Sequence, residues 1–262
     1  MNITRLSDVK SQKQEFILKD VMPLPKNTVA MLSSSGGVAK TWLGLRIAMK
    51  HVKDTDEEVM LWMTEDEAPF IKNRADSLSQ YAKVETDYRK IHLINDAPPQ
   101  LAKREGGVFK ANYEALKEVR SECIDRGITF IVLDPLITFY GGNENDNAEA
   151  RVFMQSFLQW AKEDEVTILL LHHSKKDGTG SRGASAFVDA VRTVYELDFV
   201  MAEPRNKGDA PTKNHIATDK GLRMLKLVKD NRHVQGVLQA DGKRAEYQVE
   251  VTPEYRATSC RV

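Results

Sequence analysis

A lysine and a threonine that directly follow a short loop of small residues are the first feature of this sequence that could do chemistry. Residues 28–32 form an apolar stretch, residues 33–39 read Ser-Ser-Ser-Gly-Gly-Val-Ala, and Lys40-Thr41 then opens an amphipathic stretch. A strand, a loop and a helix in this order are the context that a phosphate-binding loop requires, in which backbone N–H groups and the helix N-terminus bind phosphate oxygens. The lysine of such a loop reaches the β- and γ-phosphates and the threonine hydroxyl binds Mg²⁺, so the pattern predicts a site for ATP and Mg²⁺.

The loop departs from the consensus G-x-x-x-x-G-K-[ST] at two positions. Ser34 and Ala39 stand where that pattern has glycine, which leaves only Gly36 and Gly37 for positive φ angles or close approach of the backbone. An ordinary serine–glycine turn before a helix therefore stays open as an alternative on this motif alone. The predicted nucleotide-binding residues of the loop are Ser35, Gly36, Gly37, Val38, Ala39, Lys40, Thr41 and Trp42.

Further polar side chains follow three apolar runs that read as strands of a parallel sheet. They are Glu65, Asp134 and the pair His172-His173. Ligands bind to open parallel sheets at the carboxyl ends of the strands, where the phosphate-binding loop also lies. We therefore predict that Asp134, together with Thr41, binds Mg²⁺. Glu65 is predicted to activate the attacking water, and His173 to hydrogen-bond the γ-phosphate.

Each of these positions also has a purely structural interpretation. Asp134 could cap the turn before Pro135, and a pair of histidines at a strand end is often a satisfied structural group. Glu65 is followed by Asp66 and Glu67, and carboxylates are favoured at helix N-termini whatever their function. The six histidines show no zinc-binding spacing, so a zinc site is not predicted.

The composition is that of a globular protein without a bias for one class of partner. In 262 residues, 38 basic side chains balance 38 acidic ones, so any contact with nucleic acid must come from local patches. Cys123 and Cys260 have no metal or redox spacing, and no apolar run has the length of a membrane span. These features predict a cytoplasmic protein, with an N-terminal arm over residues 1–20 and a single domain over residues 21–262.

Strand and helix patterns alternate along most of the chain, which predicts an α/β fold with a mainly parallel sheet flanked by helices. The apolar runs at 128–133 and 166–171 are continuous, as in strands that are buried on both faces. Residues 95–110 are polar and contain glycine and proline, so we expect a long exposed loop there. Three stretches near the C-terminus have period-2 patterns that predict antiparallel strands, at 222–228, 234–240 and 247–251.

Several of these segments together resemble one family. In chain order they read GGVAKT, IVLDPLITFYGGNENDN, ILLLHHSKK and SRGASAFVDAVR. They resemble the RecA-like ATPases of the plasmid RepA type, which are hexameric replicative helicases related to the DnaB group. The resemblance covers roughly residues 20–235 and implies a RecA-like P-loop NTPase core for the α/β fold.

The resemblance also implies roles for individual residues. It assigns the P-loop lysine and hydroxyl, the catalytic glutamate, the Walker B aspartate and the phosphate-sensing histidine to Lys40, Thr41, Glu65, Asp134 and His173. The arginine that such enzymes supply to a neighbouring subunit's nucleotide falls at Arg192, for which a salt bridge to Asp189 or Glu196 is the alternative. Lys229 and Arg232 match a further lysine and arginine that related helicases place at the nucleotide.

The implied function is a Mg²⁺-dependent ATPase that assembles into a ring, expected to be a hexamer, and moves on single-stranded DNA as the helicase of a plasmid, phage or mobile element. Polar loops at 95–107 and 175–182 would face the ring channel, and the predicted DNA-binding residues are Lys175, Lys176 and Arg182. Two alternatives stay open. One is a recombination-type or regulatory RecA-like ATPase without unwinding activity, and the other is a nucleotide-binding assembly module whose degenerate loop has lost turnover.

Overall fold

A computed structural model describes residues 3–82, 86–173, 185–200 and 221–251 of the chain. The strands are β1 (Phe16–Ile17), β2 (Leu24–Pro25), β3 (Val29–Ser34), β4 (Glu58–Met63), β5 (Ile91–Ile94), β6 (Ala102–Glu105), β7 (Val108–Ala111), β8 (Ile128–Asp134), β9 (Tyr140–Gly141), β10 (Thr167–His173), β11 (Thr193–Phe199), β12 (Leu222–Asp230) and β13 (Glu246–Glu250). The α-helices are α1 (Lys40–Thr55), α2 (Ala68–Ala82), α3 (Tyr113–Asp125), α4 (Asn147–Glu163), α5 (Ser185–Ala190) and α6 (Val234–Ala240). Short 3₁₀ helices span Leu6–Asp8, Tyr88–Lys90 and Leu136–Phe139.

Within the described residues, eight strands form one sheet in the spatial order β13-β12-β11-β3-β10-β8-β4-β5. All neighbours from β11 to β5 run parallel, whereas β11, β12 and β13 pair antiparallel at one edge. Parallel neighbours need crossover connections, and helices supply them here. The sheet confirms the predicted α/β fold, in which a mainly parallel RecA-like P-loop core is extended by antiparallel C-terminal strands.

Helices cover both faces of the sheet, because its central strands are apolar at nearly every position. The helices α1, α2 and α6 pack on one face, and α3, α4 and α5 pack on the other. In α1 the side chains of Leu45, Ala48, Met49 and Val52 recur at helical spacing, and all of them are buried. None of the helices in the described ranges is long and apolar enough to cross a lipid bilayer.

The expectation of a long exposed loop over residues 95–110 is wrong. Strands β6 and β7 form a hairpin here, which pairs with β9 in a separate three-stranded sheet. Gly106 and Gly107 form its two-residue turn with φ angles of +59° and +82°, a conformation for which glycine is favoured. The guanidinium of Arg104 pairs with the buried carboxylate of Glu149, and this ion pair ties the hairpin to α4.

The expected strand at 234–240 is also wrong, because these residues form α6. Val234 and Leu238 are four residues apart on one helix face, and both are buried. The carboxylate of Asp230 accepts hydrogen bonds of 2.9 Å from the N–H groups of Val234 and Gln235, which caps the start of the helix. Over seven residues the apolar pattern fits a period of two as well as a period of 3.6, and the cap favours the helix.

Gly44 lets α1 pack closely on the sheet. A β-carbon at this position would lie 2.9 Å from Leu171 Cδ1 and 3.5 Å from Val132 Cγ1, and both of these side chains are buried. In α6, by contrast, a β-carbon at Gly236 would meet nothing within 4 Å. The two glycines therefore differ in the space around them although both lie in helices.

We expect Gly44→Ala to lower the free energy of unfolding by about 1 kcal/mol, because overpacking of about 1–3 kcal/mol outweighs a gain of about 1 kcal/mol in helix propensity. Gly236→Ala is the matched control and should raise the free energy of unfolding, since it has the same gain without the clash. Urea unfolding of both variants measures the difference. A Gly44→Ala protein that is stabilised as much as Gly236→Ala would contradict the close packing of α1.

Candidate nucleotide-binding site

The loop between β3 and α1 follows Ser34 and ends where Lys40 begins the helix. Gly37 has a φ angle of +80° and Ala39 a φ angle of +72°. The expectation that only the two glycines are available for positive φ is therefore wrong, since Ala39 adopts the left-handed conformation in spite of its methyl group. β-carbons at Gly36 and Gly37 would meet nothing within 4 Å, so the loop borders open space.

The buried side chains of Lys40 and Asp134 form a cluster with the half-buried Thr41 at the end of this loop. The ammonium group of Lys40 lies 3.2 Å from Asp134 Oδ1, and the two side chains are only 4% and 2% exposed. The hydroxyl of Thr41 donates a hydrogen bond of 2.6 Å to Asp134 Oδ2. Mg²⁺ binds hydroxyl and carboxylate oxygens, and here the two lie side by side. The side chains of Thr41 and Asp134 therefore fit a Mg²⁺ ion that accompanies a nucleotide.

A cleft in front of the loop brings together three of the four predicted catalytic residues, Lys40, Glu65 and His173. Besides the loop, it is lined by Glu65, Asp66, Arg74 and His173. Glu65 follows β4 and His173 ends β10, and β8 with Asp134 at its end lies between these two strands. The distance from His173 Nε2 to Glu65 Oε1 is 3.5 Å. Polar side chains that follow parallel strands lie at one edge of the sheet, which we call the strand-end rule. Glu65 and His173 follow this rule, because they meet in one cleft although they are distant in the sequence.

The three neighbouring carboxylates after β4 have different surroundings. Asp66 pairs with Arg74, whose Nη2 donates a hydrogen bond of 3.0 Å to Oδ1 while Nη1 contacts Oδ2. Glu67 does not line the cleft, and its carbonyl group accepts hydrogen bonds from the first turn of α2. The side chain of Glu65 is 52% exposed, and its partner in the described part of the chain is His173. Glu65 and Asp66 both line the cleft, but Asp66 is paired with Arg74, so Glu65 is the better placed of the two to accept a proton from a water molecule.

Sequence analysis missed two residues that shape this cleft, Arg74 and Asn95. The guanidinium carbon of Arg74 lies 5.6 Å from the ring centre of Trp42, so this side chain of α2 packs against the first turn of α1. Asn95 braces the turn after β4, because its amide donates 2.8 Å to the carbonyl of Met63 and accepts 2.9 Å from the N–H of Ala68. Asn95 directly follows β5, so the strand-end rule could have found it.

Arg192 lies far from the loop of its own chain. In the register of β11 and β3, Thr193 pairs with Ala30, whereas Leu197 pairs with Ser34 beside the loop. Arg192 is therefore five positions from the level of Ser34, which is about 16 Å along the strand. An arginine side chain does not span this distance, so Arg192 does not reach the cleft of its own chain.

The alternative interpretation of Arg192, a salt bridge to Asp189 or Glu196, is absent from the described residues, where its side chain is exposed. The ammonium group of Lys229 donates hydrogen bonds of 3.1 and 2.9 Å to two carbonyl groups at the C-terminal end of α5. Arg232 is exposed in the turn before α6. Neither of these two lines the cleft of its own chain, and their predicted contact with nucleotide stays a prediction.

The predicted DNA-binding residues Lys175, Lys176 and Arg182 lie outside the described residues. They follow His173, with which β10 ends at the cleft. The preceding His172 is buried, and its ring centre lies 5.8 Å from that of an aromatic side chain of α5. This packing indicates a structural role for His172. The chain therefore passes from the nucleotide cleft straight into the basic segment.

A family model described as AAA domain matches residues 5–179, about two thirds of the chain. The matched residues include the loop together with Glu65, Asp134 and His173. No curated protein matches the chain significantly. Because this match spans more than half of the chain and includes the buried pair of Lys40 and Asp134, the chain belongs to the AAA domain family and is a P-loop ATPase.

Proposed function

We propose that the protein is a ring-forming ATPase that moves on single-stranded DNA in the cytoplasm, as a RepA-type replicative helicase of a plasmid, phage or mobile element. The observation that carries the proposal is the 3.5 Å contact between His173 and Glu65. His173 is the last residue of β10, and the chain continues from it into the residues predicted to bind DNA. One strand thus connects the nucleotide cleft with the proposed DNA contact.

The residues of the cleft divide the steps of ATP hydrolysis among them. The ammonium group of Lys40 has three donors, so it can turn from Asp134 to the phosphate oxygens when a nucleotide binds. Thr41 and Asp134 would hold a Mg²⁺ ion, which would supply charge neutralisation at the phosphates. Glu65 accepts the proton of the attacking water, for which its exposure leaves room. His173 hydrogen-bonds the γ-phosphate and, through Glu65, responds to its departure.

The position of Arg192 supports assembly into a ring. A guanidinium that stabilises the charge developing on the γ-phosphate must reach the cleft. Arg192 lies about 16 Å from the level of Ser34 along its own strand, but it is exposed, so it can enter the cleft of a second copy. Repetition of such a head-to-tail contact closes a ring, and the RepA-type resemblance favours a hexamer.

Binding to DNA depends on a local basic patch in this proposal, because the chain has 38 basic and 38 acidic residues. Lys175, Lys176 and Arg182 lie within one short segment, where they can follow a phosphodiester backbone. Such contacts are to phosphate rather than to base edges, so they suit a motor that must bind every sequence it passes.

Glu65→Gln should bind ATP with unchanged affinity and lose roughly 10²-fold or more in turnover, the size expected for a missing general base. Glu67→Gln is the matched control, because this carboxylate lies outside the cleft lining, and it should hydrolyse ATP at the normal rate. Titration with a fluorescent ATP analogue and single-turnover hydrolysis separate binding from chemistry. Normal hydrolysis by Glu65→Gln together with a slow Glu67→Gln variant would reassign the base.

Replacing Lys175, Lys176 and Arg182 together by glutamine should weaken binding of a fluorescent single-stranded oligonucleotide and flatten its dependence on salt, because fewer counterions are released. ATP hydrolysis without DNA should survive, since the proposed steps of hydrolysis use Lys40, Thr41, Glu65, Asp134 and His173 and none of these three residues. Replacing Lys103 and Lys110 of the β6–β7 hairpin by glutamine is the control for a general loss of positive charge. A full salt dependence in the triple variant, with a loss in the hairpin variant, would move the DNA contact to the hairpin.

Arg192→Ala and Glu65→Gln chains, each inactive alone, should recover ATP hydrolysis when they are mixed and allowed to exchange subunits. In a mixed ring some interfaces combine an intact Glu65 from one subunit with an intact Arg192 from its neighbour. Mixing Glu65→Gln chains with Lys40→Ala chains is the control, because both changes fall in the same cleft. Absence of recovery, under conditions where labelled subunits demonstrably exchange, excludes the action of Arg192 between subunits.

A further inference from the structure

A buried arginine on β12 donates a hydrogen bond to the backbone of the phosphate-binding loop. Arg223 is 3% exposed, and its Nε–H donates a hydrogen bond of 2.9 Å to the carbonyl oxygen of Val38. A second guanidinium nitrogen donates 2.7 Å to the carbonyl of Leu222, and the guanidinium carbon lies 4.8 Å from the ring centre of Phe199. Arginine stays charged in proteins, so its burial is costly unless its donors are used. One of these donors is used on the loop.

The bond to Val38 fixes the orientation of one peptide group of the loop. A trans peptide is planar, so its C=O and N–H groups point in opposite directions. Because the carbonyl of Val38 points at Arg223, the N–H of Ala39 points away from it. This peptide group lies just before Lys40, the residue that begins α1. Arg223 therefore acts on the part of the loop that leads into the lysine.

Ala39 needs such support because of its backbone conformation. Its φ and ψ angles are 72° and 35°, in the left-handed region where the consensus loop has glycine. For alanine this region is disfavoured by a factor of about ten relative to helical or extended backbone. A loop without support would leave the conformation most of the time. The apparent affinity for a nucleotide falls in proportion to the fraction of chains that keep the competent conformation.

We propose that Arg223 is a positioning residue for nucleotide binding, and that it replaces the part that glycine at position 39 plays in the consensus loop. Anchoring the carbonyl of Val38 makes the left-handed conformation of Ala39 the stable one before the nucleotide arrives. The proposal deepens the assignment of the nucleotide site and requires neither DNA nor a ring.

A double-mutant cycle between positions 223 and 39 tests the proposal. Methionine has a similar length to arginine but no donor, so Arg223→Met should raise the Kd of a fluorescent ATP analogue, measured without DNA, by about tenfold. Ala39→Gly in the same chain should restore the Kd to within about twofold of wild type, because glycine keeps the loop conformation without an anchor. Ala39→Gly in the wild-type chain should lower the Kd by a smaller factor than it does in Arg223→Met, because Arg223 already holds the loop. A contact that serves only stability would not produce this coupling between the two positions.

Arg46→Met is the matched control. Its guanidinium also donates to a backbone carbonyl, but that carbonyl belongs to Glu250 on β13 and not to the loop. This variant should leave the Kd unchanged. Arg223→Lys keeps the charge and a donor, so its Kd should lie between those of wild type and Arg223→Met. Circular dichroism and thermal unfolding show which variants are folded, and Arg223→Lys takes the place of Arg223→Met in the cycle if the latter is unfolded.

An unchanged Kd in the folded Arg223 variant would overturn the proposal. An effect of Ala39→Gly that has the same size with and without Arg223 would overturn it as well, because the two positions would then act independently. The coupling between positions 223 and 39 could be present while single-stranded DNA fails to stimulate ATP hydrolysis. This result would contradict the proposed function but not the positioning role of Arg223.

Discussion

The ion pair between Lys40 and Asp134 fixes the carboxyl edge of the sheet. Two charges that are almost fully removed from water are tolerated only when each compensates the other, and here they approach to 3.2 Å. The same aspartate accepts the hydroxyl of Thr41 through its second oxygen, and its backbone carbonyl accepts the N–H of Thr64 at 3.0 Å. One residue therefore joins the start of α1 to the ends of β8 and β4, and the nucleotide cleft lies between these elements.

The same pair makes the cleft responsive to its ligand. Removing one partner of a buried ion pair leaves the other charge uncompensated. Exchanging that partner for another group of the same sign keeps the charge compensated. A phosphate oxygen can take the place of Asp134 beside Lys40, and a Mg²⁺ ion can take the place of the ammonium group beside Asp134. The charges of the site are thus already paired before a nucleotide binds. Nucleotide binding then replaces the ion pair of Lys40 and Asp134 by pairs with phosphate and Mg²⁺. The strand ends that this ion pair connects can move when it is replaced.

Continuous apolar runs predict β8 and β10 to within one or two residues, because strands covered on both faces need such runs. The polar residues that follow them are found by the same reasoning, since parallel strands bring their carboxyl ends to one edge. The β6–β7 hairpin is missed because its strands are short and lie mostly outside the core, and because the ion pair that ties it to α4 joins Arg104 to Glu149, 45 residues away. Arg223 is missed for the same reason, as it binds Val38 across 185 residues of chain. Periodicity reports what a residue is buried against, but not which distant residue it contacts.

The two ends of the sheet carry different parts of the proposed reaction. The buried cluster and Glu65 lie at the carboxyl edge, whereas Arg192 lies near the opposite end of β11. Groups that serve one reaction from opposite ends of a subunit can meet only when subunits contact each other head to tail, which makes the contact heterologous and lets it close into a ring. Equal numbers of basic and acidic residues leave no net charge to oppose this contact. A neutral chain therefore suits a ring, provided that DNA is bound by a few basic residues that are close together in the sequence.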